Sequence, residues 1–193
     1  MNKQITFAQY RRGDLILLAV ILAICQFAIS WAASRLFPDQ LYIVSPAAAV
    51  TALVMMRWGL YGAIHAVLGG VFLCLFSSGT PAHYLIYGAG NLLCVPALLF
   101  FRALGKEKIR KDSFLSLTFG VTVQVLMLLG RAGMAAVMGR NFSECLGFIT
   151  TDALSILFTM LIVWAARRCD GLFEDQKTYL LRIQSETNNE GRG

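Results

Sequence analysis

Six polar or aromatic residues interrupt long apolar runs, and they are the side chains of this sequence best suited to hold a ligand. They are Tyr84, Tyr87, Asn91, Gln124, Arg131 and Asp152. A guanidinium group offers five N–H donors to an anionic or carbonyl group, while amides and carboxylates add directional hydrogen bonds. Tyrosine rings stack on planar ligands. Together these residue types predict a pocket for a small molecule.

Helical spacing places these side chains on shared helix faces. The first three of the six follow an i, i+3, i+7 pattern, and Gln124 and Arg131 are seven residues apart, about two helical turns. Asp152, Ser155 and Thr159 repeat the i, i+3, i+7 pattern. A polar side chain that faces lipid is costly, so such a face usually turns towards other helices or a cavity. We therefore expect these faces to meet inside a bundle.

The composition identifies the elements that must position these residues as membrane helices. The 193 residues are 57% hydrophobic and only 15% charged, and the mean hydropathy is +0.63. A soluble domain of this length would need more charge to cover its surface. The formal charge of +6 does not indicate nucleic-acid binding, because the basic residues lie between apolar blocks, as in cytoplasmic membrane loops.

The apolar residues form six blocks that predict an all-α, polytopic bundle of six transmembrane helices. A helix needs roughly 20 apolar residues to cross the hydrocarbon core. The second and third blocks are short, with only the sequence RWGLY between them, so one long hydrophobic hairpin is an open alternative there. The blocks are Leu15–Ala33, Tyr42–Met56, Gly62–Phe76, Tyr84–Phe101, Ser113–Gly130 and Phe148–Ala166.

The basic residues orient this six-span arrangement. With six spans, all but three of the 17 basic residues fall on the side of the two termini; the exceptions are Arg35, Arg131 and Arg140. The positive-inside rule then places both termini in the cytoplasm. Residues 1–170 form the transmembrane domain, and 171–193 form an amphipathic cytoplasmic tail. We expect the six candidate residues to lie in the outer half of the membrane or at its outer edge, in a pocket that opens to the outside.

A purely structural interpretation of the same residues stays open. Arg131 and Asp152 at similar depth can simply pair with each other, and tyrosines near a helix end often belong to the interfacial belt. Asparagine, serine and threonine often join membrane helices by hydrogen bonds. We expect His65 to be structural, while His83 belongs to an outer loop able to fold over the pocket.

The sequence contains no motif that predicts catalysis. The Walker A, HExxH and GxSxG patterns are absent, and none of the five cysteines belongs to a CxxC pair. The one intramembrane acid, Asp152, has no evident catalytic base or metal ligand beside it. We therefore expect no enzymatic activity, no metal site and no cofactor.

Alanine pairs in the first span predict a close helix contact. Ala19 and Ala23 form one AxxxA step, and Ala28 and Ala32 form a second one nearer the outside. Small residues four apart give a flat strip that another helix can approach. That helix is either internal or part of another subunit.

With this layout the chain resembles the substrate-binding S component of bacterial energy-coupling-factor (ECF) vitamin transporters. The likeness consists of the length, six spans, cytoplasmic termini, an AxxxA step in the first span, Gly/Ala-rich middle spans and the Gly90–Asn91 step. The family implies a vitamin or related micronutrient bound at the outer face. It also implies docking of Ala19 and Ala23 on a membrane T component that two ATPase subunits drive, in the bacterial cell membrane. Such a subunit binds substrate without hydrolysing ATP itself.

Two alternatives from other classes remain. One is a six-span membrane scaffold without a ligand, like the cell-shape protein MreD. The other is a membrane sensor domain whose C-terminal sequence FEDQKTYLLRIQSE acts as a signalling helix. Retention of a small molecule by the purified protein distinguishes the first interpretation from both alternatives.

Overall fold

The computed structural model describes residues 6–39 and 42–190, and these residues form helices and connecting turns without any strand, as the apolar blocks predict. The α-helices are α1 (Phe7–Leu36), α2 (Ala47–Trp58), α3 (Gly62–Phe76), α4 (Pro81–Gly90), α5 (Leu99–Leu104), α6 (Lys106–Lys111), α7 (Ser113–Val137), α8 (Phe142–Thr150), α9 (Leu154–Arg168) and α10 (Gln176–Glu190). A 3₁₀ segment, Asn91–Leu98, joins α4 to α5. The all-α prediction is therefore confirmed for the described residues.

Five helical stretches of the described chain are long and apolar enough to cross a membrane, which supports a polytopic membrane protein. They are Phe7–Leu36, Ala47–Phe76, Pro81–Leu104, Ser113–Val137 and Phe142–Arg168. The second of these stretches begins at Ala47, and it covers the predicted third span and all but residues 42–46 of the predicted second span. Six spans and cytoplasmic termini stay predictions.

The stretch Ala47–Phe76 folds back on itself at Gly59. This glycine has φ +63°, a left-handed conformation that favours residues without a Cβ atom. A Cβ atom added at Gly62 would collide with Met55, and one added at Gly69 would collide with Ala47. The two helices therefore contact each other both near the turn and far from it, as the two arms of an antiparallel hairpin do. By length, α2 spans roughly 18 Å and α3 roughly 22 Å.

Contacts at one end of the bundle bring the first helix, the hairpin turn and the chain after α9 together. Arg57 Nε and Nη2 donate to the two carboxylate oxygens of Asp14 at 2.8 and 2.7 Å, and Nη1 donates to the Gly171 carbonyl at 2.7 Å. Lys106 forms an ion pair with Asp175 at this end. We call residues 10–14, 57–61, 102–112 and 167–176 the basic end.

The opposite end is defined by a second set of long-range contacts. The Ile43 N–H donates to the Thr151 carbonyl at 2.8 Å, and the hydroxyl oxygens of Ser30 and Ser77 are 3.4 Å apart. The chain therefore runs back and forth between two ends, and the beginning of α1 and the end of α9 lie at the same one.

The main core surrounds α2, in which every residue from Ala47 to Arg57 is buried. Helix α1 lies at the periphery and buries only Leu18, Leu22 and Gln26, a stripe with a four-residue spacing. After α9, Phe173 also packs into the main core, so the first residues of the predicted tail lie against the bundle.

Two of the membrane-length stretches are not continuous α-helices. The stretch Pro81–Leu104 changes to 3₁₀ geometry at Asn91 and contains Pro96, which has no N–H group for a helical hydrogen bond. The stretch Phe142–Arg168 is interrupted by a turn over residues 151–153, which contains Asp152. Each interruption therefore carries one of the predicted site residues.

Candidate functional site

Five of the six predicted site residues form one buried group around Arg131, which is 1% exposed. Arg131 Nε donates to Asn91 Oδ1 at 2.7 Å, and Nη1 forms an ion pair with Asp152. Gln124 Nε2 donates to Asp152 Oδ2 at 3.3 Å. The Arg131 guanidinium carbon lies 4.8 Å from the centre of the Tyr87 ring, a cation–π distance. We call these residues the Arg131 cluster.

Two glycines allow the helices that carry this cluster to touch. A Cβ atom added at Gly130 would collide with the Gly90 carbonyl oxygen, and one added at Gly90 would lie 2.9 Å from the backbone of Arg131. The backbones of α4 and α7 are therefore in direct contact at this crossing. Because Asn91 follows Gly90 and Arg131 follows Gly130, the crossing brings their side chains together.

The carboxylate of Asp152 is surrounded by hydrogen-bond donors. It accepts from Arg131, from Gln124 and from the hydroxyl of Ser155. Asn91 donates its Nδ2 to the Ala66 carbonyl at 2.8 Å, which turns its oxygen towards Arg131. A buried ion pair is tolerated only when its remaining polar atoms are also hydrogen-bonded. In this structure Arg131 thus pairs with Asp152, one of the two possibilities that the sequence left open.

Hydrogen bonds continue from the cluster to α1. Ser155 Oγ accepts the Ser45 N–H at 2.9 Å, Ser45 Oγ donates to Gln26 Oε1 at 2.8 Å, and Gln26 Nε2 donates to Ser30 Oγ at 3.2 Å. Sequence reasoning did not include Gln26 or Ser45 in the site. The signal available for Gln26 was a single amide in the apolar run AICQFAI.

An open groove of about 350 Å³ lies over the Arg131 cluster. Tyr87 belongs to both, since one part of this residue lines the groove and its ring lies against Arg131. The Phe148 ring is 5.6 Å from the Tyr87 ring and 6.4 Å from the His83 ring, in edge-to-face arrangements. We call this the Tyr87 groove; its lining residues are Ile43, His83, Tyr87, Arg140, Glu144, Gly147, Phe148 and Thr151.

The charges of the groove balance one another. Arg140 and Glu144 pair at 3.3 Å at the rim, where both side chains are nearly half exposed. Beneath the floor, Asp152 compensates Arg131. The groove therefore suits a neutral or zwitterionic molecule with a planar ring better than a strongly charged one. Its residues offer aromatic faces and hydrogen-bonding groups, and among the described residues no group of three His, Cys, Asp or Glu side chains could hold a metal ion.

Tyr84 lies beside the cluster and not within it. It is half-buried and packs against a second apolar group that includes Ile86, Tyr87 and Ala135. The groove residues Phe148, Arg140 and Glu144 were not predicted as ligand contacts. Phe148 stands at the end of an apolar block, where an aromatic side chain gives no distinctive signal.

The predicted docking alanines lie at the edge of the buried stripe of α1. Ala19 and Ala23 are both half-buried, next to Leu18 and Leu22. Part of each therefore stays accessible to another helix. In the second AxxxA step, Ala28 is exposed.

Comparison with known proteins adds no assignment to this geometry. No protein family, no curated protein and no solved structure matches the chain.

Proposed function

We propose that this protein is the substrate-binding subunit of an ECF-type ABC transporter, which captures a vitamin or related micronutrient at the extracellular face of a bacterial cell membrane. A membrane T component and two ATPase subunits drive the uptake. The observation that carries the proposal is the aromatic Tyr87 groove above the Arg131 cluster, at the end of the bundle opposite the basic end. This is the arrangement that a subunit for substrate capture needs at its outer face.

The proposed topology has six spans and two cytoplasmic termini. It is supported by the hairpin at Gly59, which divides one apolar stretch into two antiparallel helices. The concentration of lysine and arginine at the basic end supports a cytoplasmic position for that end. The Tyr87 groove then opens to the outside, where a nutrient arrives.

The interrupted helices support a binding role for the cluster. Discontinuous membrane helices supply polar groups to substrate sites in many transporters, because irregular backbone is tolerated where it is buried in protein or lines a cavity. Here Asn91 begins the 3₁₀ segment and Asp152 lies in the turn between α8 and α9. Two interruptions that meet at a single arginine favour binding over simple helix association.

The proposed ligand has a planar ring and either a carbonyl group or an anionic group that a cationic group of the same molecule balances. The ring lies against Tyr87 and Phe148, whose rings form adjoining walls of the groove. The polar group of the ligand approaches Arg131 past the edge of Tyr87. It accepts hydrogen bonds from the Arg131 guanidinium group, which also binds Asp152. The accessible volume, near the lower limit of about 300 Å³ for ligand sites, favours a small compound.

Filling the groove tests this proposal. Gly147 lines the groove, and a Cβ atom added there meets nothing within 4 Å, so a side chain at this position starts in open space and Gly147→Leu adds bulk to the groove. Gly133 in α7 is equally open and does not line the groove, so Gly133→Leu is the matched control. Small molecules that the proteins retain on purification from bacterial membranes are identified by mass spectrometry.

We expect the wild type and Gly133→Leu to retain the same compound in equal amounts. We expect Gly147→Leu to bind it at least about tenfold more weakly, which corresponds to about 1.4 kcal/mol of binding free energy. Equal retention by Gly147→Leu would place the site elsewhere. A wild type that retains no compound and binds none of a panel of water-soluble vitamins would contradict the proposed function and favour the scaffold or sensor alternative.

A further inference from the structure

The short helix α6 connects α5 to α7 at the basic end and is fixed firmly to the bundle. Ile109 is completely buried in the main core, and its carbonyl accepts a hydrogen bond from the buried Ser116 hydroxyl. Gly105, with φ +79°, is the residue between α5 and α6 and adopts a conformation that favours glycine. The helix therefore holds a defined position from which its other side chains point away from the core.

An open depression of about 690 Å³ lies beside α6. Its lining contains one apolar side chain, two lysines and two acidic groups. It lies in the segment that connects two of the membrane-length helical stretches. The lining residues are Leu104, Gly105, Glu107, Lys108, Lys111 and Asp112. The depression lies far from the Tyr87 groove, at the other end of the bundle.

The two acidic groups of the depression are already engaged. Glu107 pairs with Arg110 and Lys111 at 3.1 Å each, and these hydrogen bonds lower the pKa of the Glu107 carboxyl group. Asp112 Oδ1 accepts the backbone N–H groups of Phe114 and Leu115 at 2.8 and 3.2 Å, as the N-cap of α7. Glu107 thus shares its charge with two cations of α6, and the Asp112 side chain is held at the start of α7.

Positive charge exceeds negative charge around the depression: apart from Lys106, which pairs with Asp175, residues 102–112 carry four cationic side chains and two carboxylates. Among the described residues, Lys108 and the nearby Arg102 have no acidic partner, and the side chain of Lys111 is 69% exposed although it contacts Glu107. Apolar side chains lie near these cations. Leu104 lines the depression, and Leu99 on α5 and Phe114 on α7 are largely exposed. Cations beside apolar surface at a membrane boundary match a ligand with an anionic head and hydrocarbon chains.

We propose that this depression binds the phosphate headgroup of an anionic membrane phospholipid. Lys108 and Lys111 contact the phosphate from α6, and Leu104 contacts the upper part of an acyl chain. Leu99 and Phe114 continue this apolar surface towards the bilayer. The bound lipid holds α6 at the membrane boundary, and its binding does not depend on the proposed transport function.

Native mass spectrometry with defined lipids tests the proposal. The purified protein in a neutral detergent is titrated with phosphatidylglycerol and, separately, with phosphatidylcholine, for the wild type and for Lys108→Gln/Lys111→Gln. The control Arg12→Gln/Lys177→Gln removes the same charge from exposed residues of the same end of the bundle that do not line the depression. A third titration uses inorganic phosphate alone.

We expect the wild type to prefer phosphatidylglycerol and the lysine pair variant to bind it about twenty-fivefold more weakly, about fivefold for each lysine. Lys108→Gln alone loses about fivefold, which keeps the test decisive if the double variant folds poorly. Equal binding of both lipids, or equal losses in the control, would overturn the lipid site in favour of general attraction. Displacement of the lipid by millimolar phosphate would overturn it in favour of a free-anion site.

Discussion

At the residue scale, the buried ion pair of Arg131 with Asp152 affects both the stability of the protein and the proposed ligand binding. The Arg131 guanidinium group is buried and compensated by Asp152, with Asn91 and Gln124 completing the hydrogen bonds. A buried charge of this kind is costly to leave without its partner. Substituting Arg131 alone therefore combines a loss of stability with any loss of ligand binding.

Removing both charges separates these two effects. Arg131→Met leaves the Asp152 carboxylate without compensation, so we expect it to lower the free energy of unfolding by about 3–5 kcal/mol. Asp152→Leu alone has a similar cost, whereas Arg131→Met/Asp152→Leu recovers most of the stability because neither charge remains. Unfolding by titration with a denaturing detergent measures all three variants.

The double variant then reports on function. A folded double variant that no longer retains the ligand would assign Arg131 or Asp152 to binding. Full retention by a stable double variant would reduce the pair to a structural link between α7 and the turn before α9.

At the scale of elements, the crossing of α4 and α7 controls where the cluster forms. The two backbones touch at Gly90 and Gly130, and each of these glycines precedes a cluster residue. A side chain at either position separates the helices. The arginine is therefore positioned by the glycine that the sequence places directly before it.

Alanine at the crossing tests this dependence. We expect Gly130→Ala to destabilise the protein by about 1–3 kcal/mol through overpacking, because its methyl group collides with the Gly90 carbonyl oxygen. Gly133→Ala, three residues later in the same helix, enters open space and gains helix propensity, so its stability stays unchanged or rises. Thermal unfolding compares the two, and equal midpoints would show that the backbones do not touch there.

At the scale of the whole molecule, the hairpin at Gly59 determines the number of membrane crossings. By length and composition, Ala47–Phe76 counts as one membrane-spanning segment, but its two helices, α2 and α3, run antiparallel. Two short crossings give six spans and put both termini on one side. If the hairpin instead enters and leaves the bilayer on the same side, four spans remain and both termini still lie on one side.

Cysteine labelling distinguishes the two topologies. Leu60, at the hairpin turn, is 61% exposed, and Cys169 is an exposed natural cysteine after α9. We expect a membrane-impermeant maleimide to label Ser143→Cys in intact cells, and to label Leu60→Cys and Cys169 only after permeabilisation. The two introduced cysteines are placed in a Cys169→Ser background. Failure of Leu60→Cys to react even in permeabilised cells would place this residue within the bilayer and favour a re-entrant hairpin with four spans.

The sequence by itself determined that the described chain is helical and which stretches are apolar enough to cross a membrane. These properties follow from local composition, since only a long apolar helix satisfies its own backbone hydrogen bonds in lipid. The sequence also placed Gln124 and Arg131 on one face, because helical periodicity is a local property too.

Only the tertiary structure decided which side chains meet. Arg131 contacts Asn91, forty residues earlier, because Gly90 and Gly130 allow two helices to touch, and no local pattern specifies that crossing. The turn that places Asp152 beside Arg131 and the positions of the Tyr87 groove residues also depend on long-range packing. Local periodicity tells which residues share a helix face, whereas the partner of that face is fixed by how whole helices fit together.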